Sequence, residues 1–168
     1  MAKKDKKKEN DNFETLCVIR VRGAPGMKRK VLFTLKLLNL HKQNHCTLVR
    51  NDPSTKGMIQ KAKDYIAFGN PSKEMIKKLL EKRARLVGNK PLTNNHIRFS
   101  TVYGSISELA GAIQEGKVSL KEIKDLKPVF RLHPPKGGYP GTVKKPIGSG
   151  GALGNVGEKI DLYLNKMI

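Results

Sequence analysis

The residues best suited to chemistry in this chain are cations gathered around a glycine-proline loop, and the chemistry they suit is anion binding. The run Arg22-Gly23-Ala24-Pro25-Gly26-Met27-Lys28-Arg29-Lys30 lies between a β-branched stretch and a Leu-rich one. The first turn of a helix carries unpaired N–H groups and the positive end of the macrodipole, so Asp and Glu are favoured there. Lys28, Arg29 and Lys30 reverse that preference at the start of the Leu-rich stretch. An external anion would reconcile these cations with the helix, because a helix N-terminus binds phosphate by its geometry. The alternative is three cations pointing into water from a solvated face. Arg20 and Arg22 in the preceding strand join the same candidate surface, and Gly23 and Gly26 leave its backbone free to turn and to approach a ligand closely.

Two further groups of cations extend the pattern. Lys56 and Lys63 recur with Gln60 at helical spacing on one outward face, with Lys61 beside them. Arg131, His133, Lys136, Lys144 and Lys145 alternate with Pro134, Pro135, Pro140, Pro146 and many glycines. Such a segment has few residues with which to bury a core. It can follow an irregular polyanion, since glycine admits close backbone approach and proline lowers the cost of ordering. The plain alternative is a surface loop.

Other chemistries find no support. The glycine run 148–154 misses G-x-G-x-x-G in register, follows no β-branched strand and is not followed by G-K-[ST]. His41, His45, His96 and His133 are scattered, and no nucleophile-base set can be argued from spacing. His41, His45 and Cys46 with distant Cys17 match no common zinc pattern. The two cysteines are expected as reduced core residues. No catalytic residue, metal or cofactor is assigned, and the chain is expected not to be an enzyme.

Charge narrows the partner. The chain has 34 Lys and Arg against 14 Asp and Glu, a net +20 over 168 residues. The excess is +2 over residues 1–12, +8 over 13–70, +6 over 71–127 and +4 over 128–168, so a basic tail alone does not explain it. A polyanionic partner does. With no Trp, five Phe and four Tyr, recognition of phosphates and shape in folded RNA or duplex fits better than base stacking along a single strand. No run of 18 apolar residues predicts a membrane span, and no apolar segment follows the N-terminal lysines, so residence in the cytoplasm is expected.

The elements that must position these groups follow from periodicity. A strand is expected over 16–22, a helix over 27–40, a strand over 45–50, a helix capped by Asp52 from Pro53 to about 64, and a short strand over 65–68. This α+β βαβαβ core spans residues 13–70 and suggests a small sheet with two helices on one face. Residues 1–12 read as a disordered basic arm that orders on RNA or merely solubilises. Residues 71–127 read as a helical appendage. Asn70 caps its first helix, which carries the stripe Met75, Ile76, Leu79, Leu80; a strand follows over 97–103, then capping boxes at Ser105 and Ser119 open two short helices. Residues 128–168 read as an extended RNA-threading segment ending in a helix over 158–168 with Ile160, Tyr163, Leu164 and Met167 inward.

The basic Gly-Pro loop entering a Leu-rich helix, Leu38-Asn39-Leu40-His41, Asn44-His45-Cys46-Thr47-Leu48-Val49 and Gly57-Met58 together resemble the large-subunit ribosomal protein thirty family, whose eukaryotic members are called large-subunit protein seven. Phe68-Gly69-Asn70-Pro71-Ser72, the run Arg131 to Gly138 and the run Gly150 to Asn155 resemble its longer archaeal and eukaryotic form. The lack of a long basic N-terminal helix leans towards the archaeal type. The resemblance implies a three-stranded antiparallel sheet backed by two helices. It also implies a structural role in large-subunit ribosomal RNA near the 5S RNA, with neighbouring large-subunit proteins as further partners. A free architectural or regulatory nucleic-acid-binding protein is the alternative from another class.

Overall fold

Every residue of β1 (Thr15–Arg20) is buried, as a strand covered on both faces requires. The computed structural model describes residues 14–168; the arm read over residues 1–12 lies outside the described residues. β1 pairs antiparallel with β2 (His45–Arg50), Cys17 opposite Leu48, and with β3 (Ile66–Gly69), Val18 opposite Phe68. The sheet does not stop at three strands. Its order is β4-β2-β1-β3-β6-β5. β4 (Phe130–Arg131) adds antiparallel to β2, β6 (Gly151–Asn155) adds parallel to β3, and β5 (Thr142–Pro146) adds parallel to β6. The expected three-stranded sheet is therefore corrected to a six-stranded mixed one.

Alternation along β1 feeds two cores. Leu16 and Val18 face α1 (Arg29–Leu37) and α2 (Pro53–Ala62), where Leu35, Leu38, Leu40, Ile59 and Ala62 complete one cluster with Ile66. Cys17, Ile19 and Val21 face the other way, with Cys46 and Leu48 of β2. That face is covered by α3 (Lys73–Arg83), α5 (Ile106–Gln114) and α6 (Ile160–Met167), and Ile97 of α4 (Asn94–Ser100) joins the same cluster. The segment read as an appendage thus supplies a large share of the protein's core. Part of the Gly/Pro-rich segment does as well, since Phe130, Ala152 and Leu153 are buried in this cluster.

Local signals set the helix ends, with some substitutions of position. The Ser72 hydroxyl, not Asn70, caps α3 by accepting from Met75 N–H at 3.3 Å, while Asn70 donates to Glu14. Asp52 stands at the N-cap of α2 without a side-chain cap bond. Thr93 accepts from His96 N–H and opens α4 where a strand was expected. Phe99 and Val102, within the span expected as a strand, are almost fully exposed. Ser105 caps α5 as expected, and the Ser119–Glu122 box forms but opens a single 3-10 turn. The thiols of Cys17 and Cys46 lie 3.3 Å apart, both buried and free. Their mutual hydrogen bond and then burial hold the Cys17 thiol well above the ordinary range, which keeps it protonated.

Candidate nucleic-acid interface

The loop after β1 is pinned at its base and open at its tip. Val21 and Arg22 N–H both donate to the Tyr65 carbonyl, at 3.0 and 3.1 Å, and the Gln43 amide donates to the Val21 carbonyl at 2.9 Å. At the tip, Gly26 has φ +72°, left-handed backbone that an L side chain would strain. The chain then enters α1 with Lys28 at the N-cap, no side-chain cap bond and no acidic residue in the first turn. Lys28, Arg29 and Lys30 are exposed. With Lys61 of α2 they line an open cleft of about 570 Å³ whose apolar floor includes Val31. Among the described residues none of these four cations is in an ion pair. The arrangement is an uncompensated positive field at a helix N-terminus, suited to hold phosphate oxygens.

Arg20 does not belong to this surface. Its side chain is buried, and its guanidinium donates to the carbonyls of Arg22 at 3.0 Å, Leu40 at 2.9 Å and His41 at 2.8 Å. Strand alternation turns it inward, and it fastens the chain on either side of α1. Burial lowers its pKa from the ordinary arginine value.

Arg22 lies in a second cleft, of about 500 Å³, shared with Lys63, Asp64 and Tyr65 at the α2–β3 junction and with Lys144, Leu153 and Gly154 of β5 and β6. Its guanidinium sits 4.9 Å from the Tyr65 ring centroid and donates to the Asp64 carbonyl at 3.2 Å. Gly23 is half-buried, and a Cβ there would meet the Pro25 ring at 3.3 Å. Lys56 is exposed on α2 but lines neither cleft.

The remaining candidates separate to opposite edges of the sheet. Lys144 and Lys145 are exposed on β5 at one edge. Arg131, on β4, is exposed at the other. His133 and Lys136 follow it on a strap whose N–H groups donate to the Met167 and Lys166 carbonyls. Tyr139 anchors the strap by donating to Asn44 Oδ1 at 3.1 Å and meeting Tyr163 edge-on at 5.7 Å; burial first, then Tyr163, pushes its pKa up to about 12. Residues 128–155 thus place exposed cations at both edges of the sheet.

Sequence reasoning missed two groups. One is the cluster at the start of β2, where burial first and then Arg131, His41, Lys42 and Arg20 lower the pKa of His45. In the sequence its histidines raise only a metal reading, which their spacing does not support. The other is Tyr65, whose type carries no signal until Arg22 is seen against its ring.

Comparison with known proteins follows the same lines. A profile of the family described as Ribosomal protein L30p/L7e matches residues 16–66. The large ribosomal subunit protein uL30 of Methanocorpusculum labreanum is 46% identical over 150 residues, covering 89% of this chain and 97% of that protein. The uL30 of Staphylothermus marinus is 44% identical over 156 residues, covering 90% and 96%, and that of Archaeoglobus fulgidus 46% over 150, covering 89% and 97%.

Proposed function

The chain belongs to the ribosomal protein L30p/L7e family, and from that premise we propose that it fixes folded ribosomal RNA in the large subunit by phosphate contacts at the N-terminus of α1. It is a structural constituent of the large ribosomal subunit, of archaeal type, and its place is the cytoplasmic ribosome in translation. The family is not an enzyme class, and we assign no catalytic step.

The observation that carries the RNA contact is the cleft of Lys28, Arg29, Lys30 and Lys61 around a helix start that has neither cap nor acid. Phosphates would supply the missing negative charge and accept from the first-turn N–H groups. Lys56, Arg131, His133, Lys136 and Lys145 then widen the footprint to several RNA strands, with the 5S RNA region as the proposed neighbourhood. Arg20 is left out of the footprint because it is buried.

The test is binding of the full chain to large-subunit RNA, against a length-matched unrelated folded RNA, across a salt series. Specific binding should persist at salt that releases the unrelated RNA. Changing Lys28, Arg29 and Lys30 together to Ala should weaken binding and lower the salt slope by about one for every phosphate no longer neutralised. An unchanged slope would overturn the role of α1. Co-sedimentation with large subunits separates a ribosomal constituent from a free regulator.

A further inference from the structure

The second cleft contains an aromatic ring that phosphate binding alone does not require. Tyr65 is half-buried at the entry to β3, and among the described residues its hydroxyl makes no hydrogen bond. The backbone that carries the ring is pinned, because its carbonyl takes the N–H groups of both Val21 and Arg22. The Arg22 guanidinium lies 4.9 Å from the ring centroid and is itself fixed by the Asp64 carbonyl. Lys63 stands on the α2–β3 side of the cleft and Lys144 on the β5 side. Both are exposed.

We propose that this cleft binds a single unstacked ribonucleotide of the RNA, its base lying on the Arg22–Tyr65 pair and its flanking phosphates held by Lys63 and Lys144. The inference rests on the reading of the chain as a ribosomal RNA binder and names a second, chemically different contact within it. Aromatic rings and guanidinium planes are the two protein surfaces on which splayed RNA bases stack. Here they are already assembled on each other, so little side-chain freedom remains to be lost on binding. The volume, about 500 Å³, lies in the range of small-ligand clefts. A paired A-form helix could touch the two lysines from outside, but its bases are not available to the ring. Asp64 also lines the cleft, and a carboxylate can accept from a base N–H.

Distant parts of the chain meet to form the cleft. Arg22, Lys63 and Tyr65 come from the βαβαβ segment, whereas Lys144, Leu153 and Gly154 come from β5 and β6. The β3–β6 pairing, Ala67 with Gly154, closes one side of it.

The experiment measures affinity of the full chain for protein-free large-subunit ribosomal RNA, again against a length-matched unrelated RNA. Tyr65→Leu keeps apolar bulk and removes the stacking face; it should weaken binding about 5- to 150-fold, the value of one base-aromatic stack, without changing the salt slope. Tyr65→Phe should bind within about twofold of wild type. Arg22→Lys keeps the charge and loses the plane, so it should weaken binding severalfold at an unchanged slope; it decides the matter if Tyr65→Leu does not fold. Changing Lys63 and Lys144 to Ala should lower the slope by about two. Wild-type affinity in both Tyr65→Leu and Arg22→Lys, or equal losses in Tyr65→Leu and Tyr65→Phe, would overturn the nucleotide site while leaving the ribosomal reading intact. Failure of the wild-type chain to prefer the ribosomal RNA would overturn that reading first.

Discussion

The Arg20 guanidinium is surrounded by three carbonyl oxygens and enters no ion pair among the described residues. Replacing it by Leu leaves the buried Leu40 carbonyl and the partly buried His41 carbonyl without their donor. Each such loss costs about 1–3 kcal/mol. Arg20→Leu should therefore lower stability by about 3 kcal/mol, measured as a reduced urea midpoint, while the salt slope of RNA binding stays as in wild type. His45 gives a second test at this scale. Its pKa is lowered in the folded chain, first by burial and then by Arg131, His41 and Lys42, so the unfolded chain binds the proton more readily. Stability should fall as pH drops through the ordinary histidine value, about 6.5, towards the lowered one. The His45→Gln variant should lack that component in urea titrations at about pH 7.5 and about pH 5.5, on either side of that value.

The helices differ in how their first turns are finished. Ser72, Thr93 and Ser105 cap α3, α4 and α5 through their hydroxyls, whereas α1 begins at Lys28 with nothing. Ser105→Ala should cost about 1 kcal/mol, read as a lower thermal midpoint. Lys28→Asp should do the opposite to the fold, stabilising it by about 1 kcal/mol through a cap and a favourable dipole contact, yet weaken RNA binding. A variant that neither gained stability nor lost affinity would show that α1 is not poised for an anion. This opposition was legible in the sequence because three cations at a helix start are a local signal. So were β2, the apolar stripe of α3 and the cap of α5, each set by neighbouring residues. β6 was not. Gly-Ala-Leu-Gly-Asn has no β-branched residue, and its glycines suggested room for phosphates. The structure shows a different cause at Gly151, where a Cβ would collide with the Lys145 carbonyl, so the glycine admits a neighbouring strand. The second cleft was hidden for a related reason: its walls come from three stretches of chain that only the sheet brings together.

Across the whole molecule, one sheet separates two apolar clusters, and the larger takes residues from nearly every part of the chain after Leu16. The core signature alone should therefore not make a well-behaved protein. A chain ending at Asn70 keeps α1 and α2 but uncovers Cys17, Ile19, Val21, Cys46 and Leu48 together. Contiguous apolar surface of that kind drives association. Sedimentation velocity should show this truncated chain self-associating or aggregating under conditions where the full chain is monomeric, and a monomeric fragment would refute the coupling. The parallel pairing of β3 with β6 and the packing of Ile160, Tyr163, Leu164 and Met167 against the sheet also set an order in time. Synthesis runs from the N-terminus, so β1, β2 and β3 emerge before α3, α5 and α6, which cover their second face. The last helix thus shelters residues laid down at the other end of the chain, and the two ends of the sequence share one dry interior.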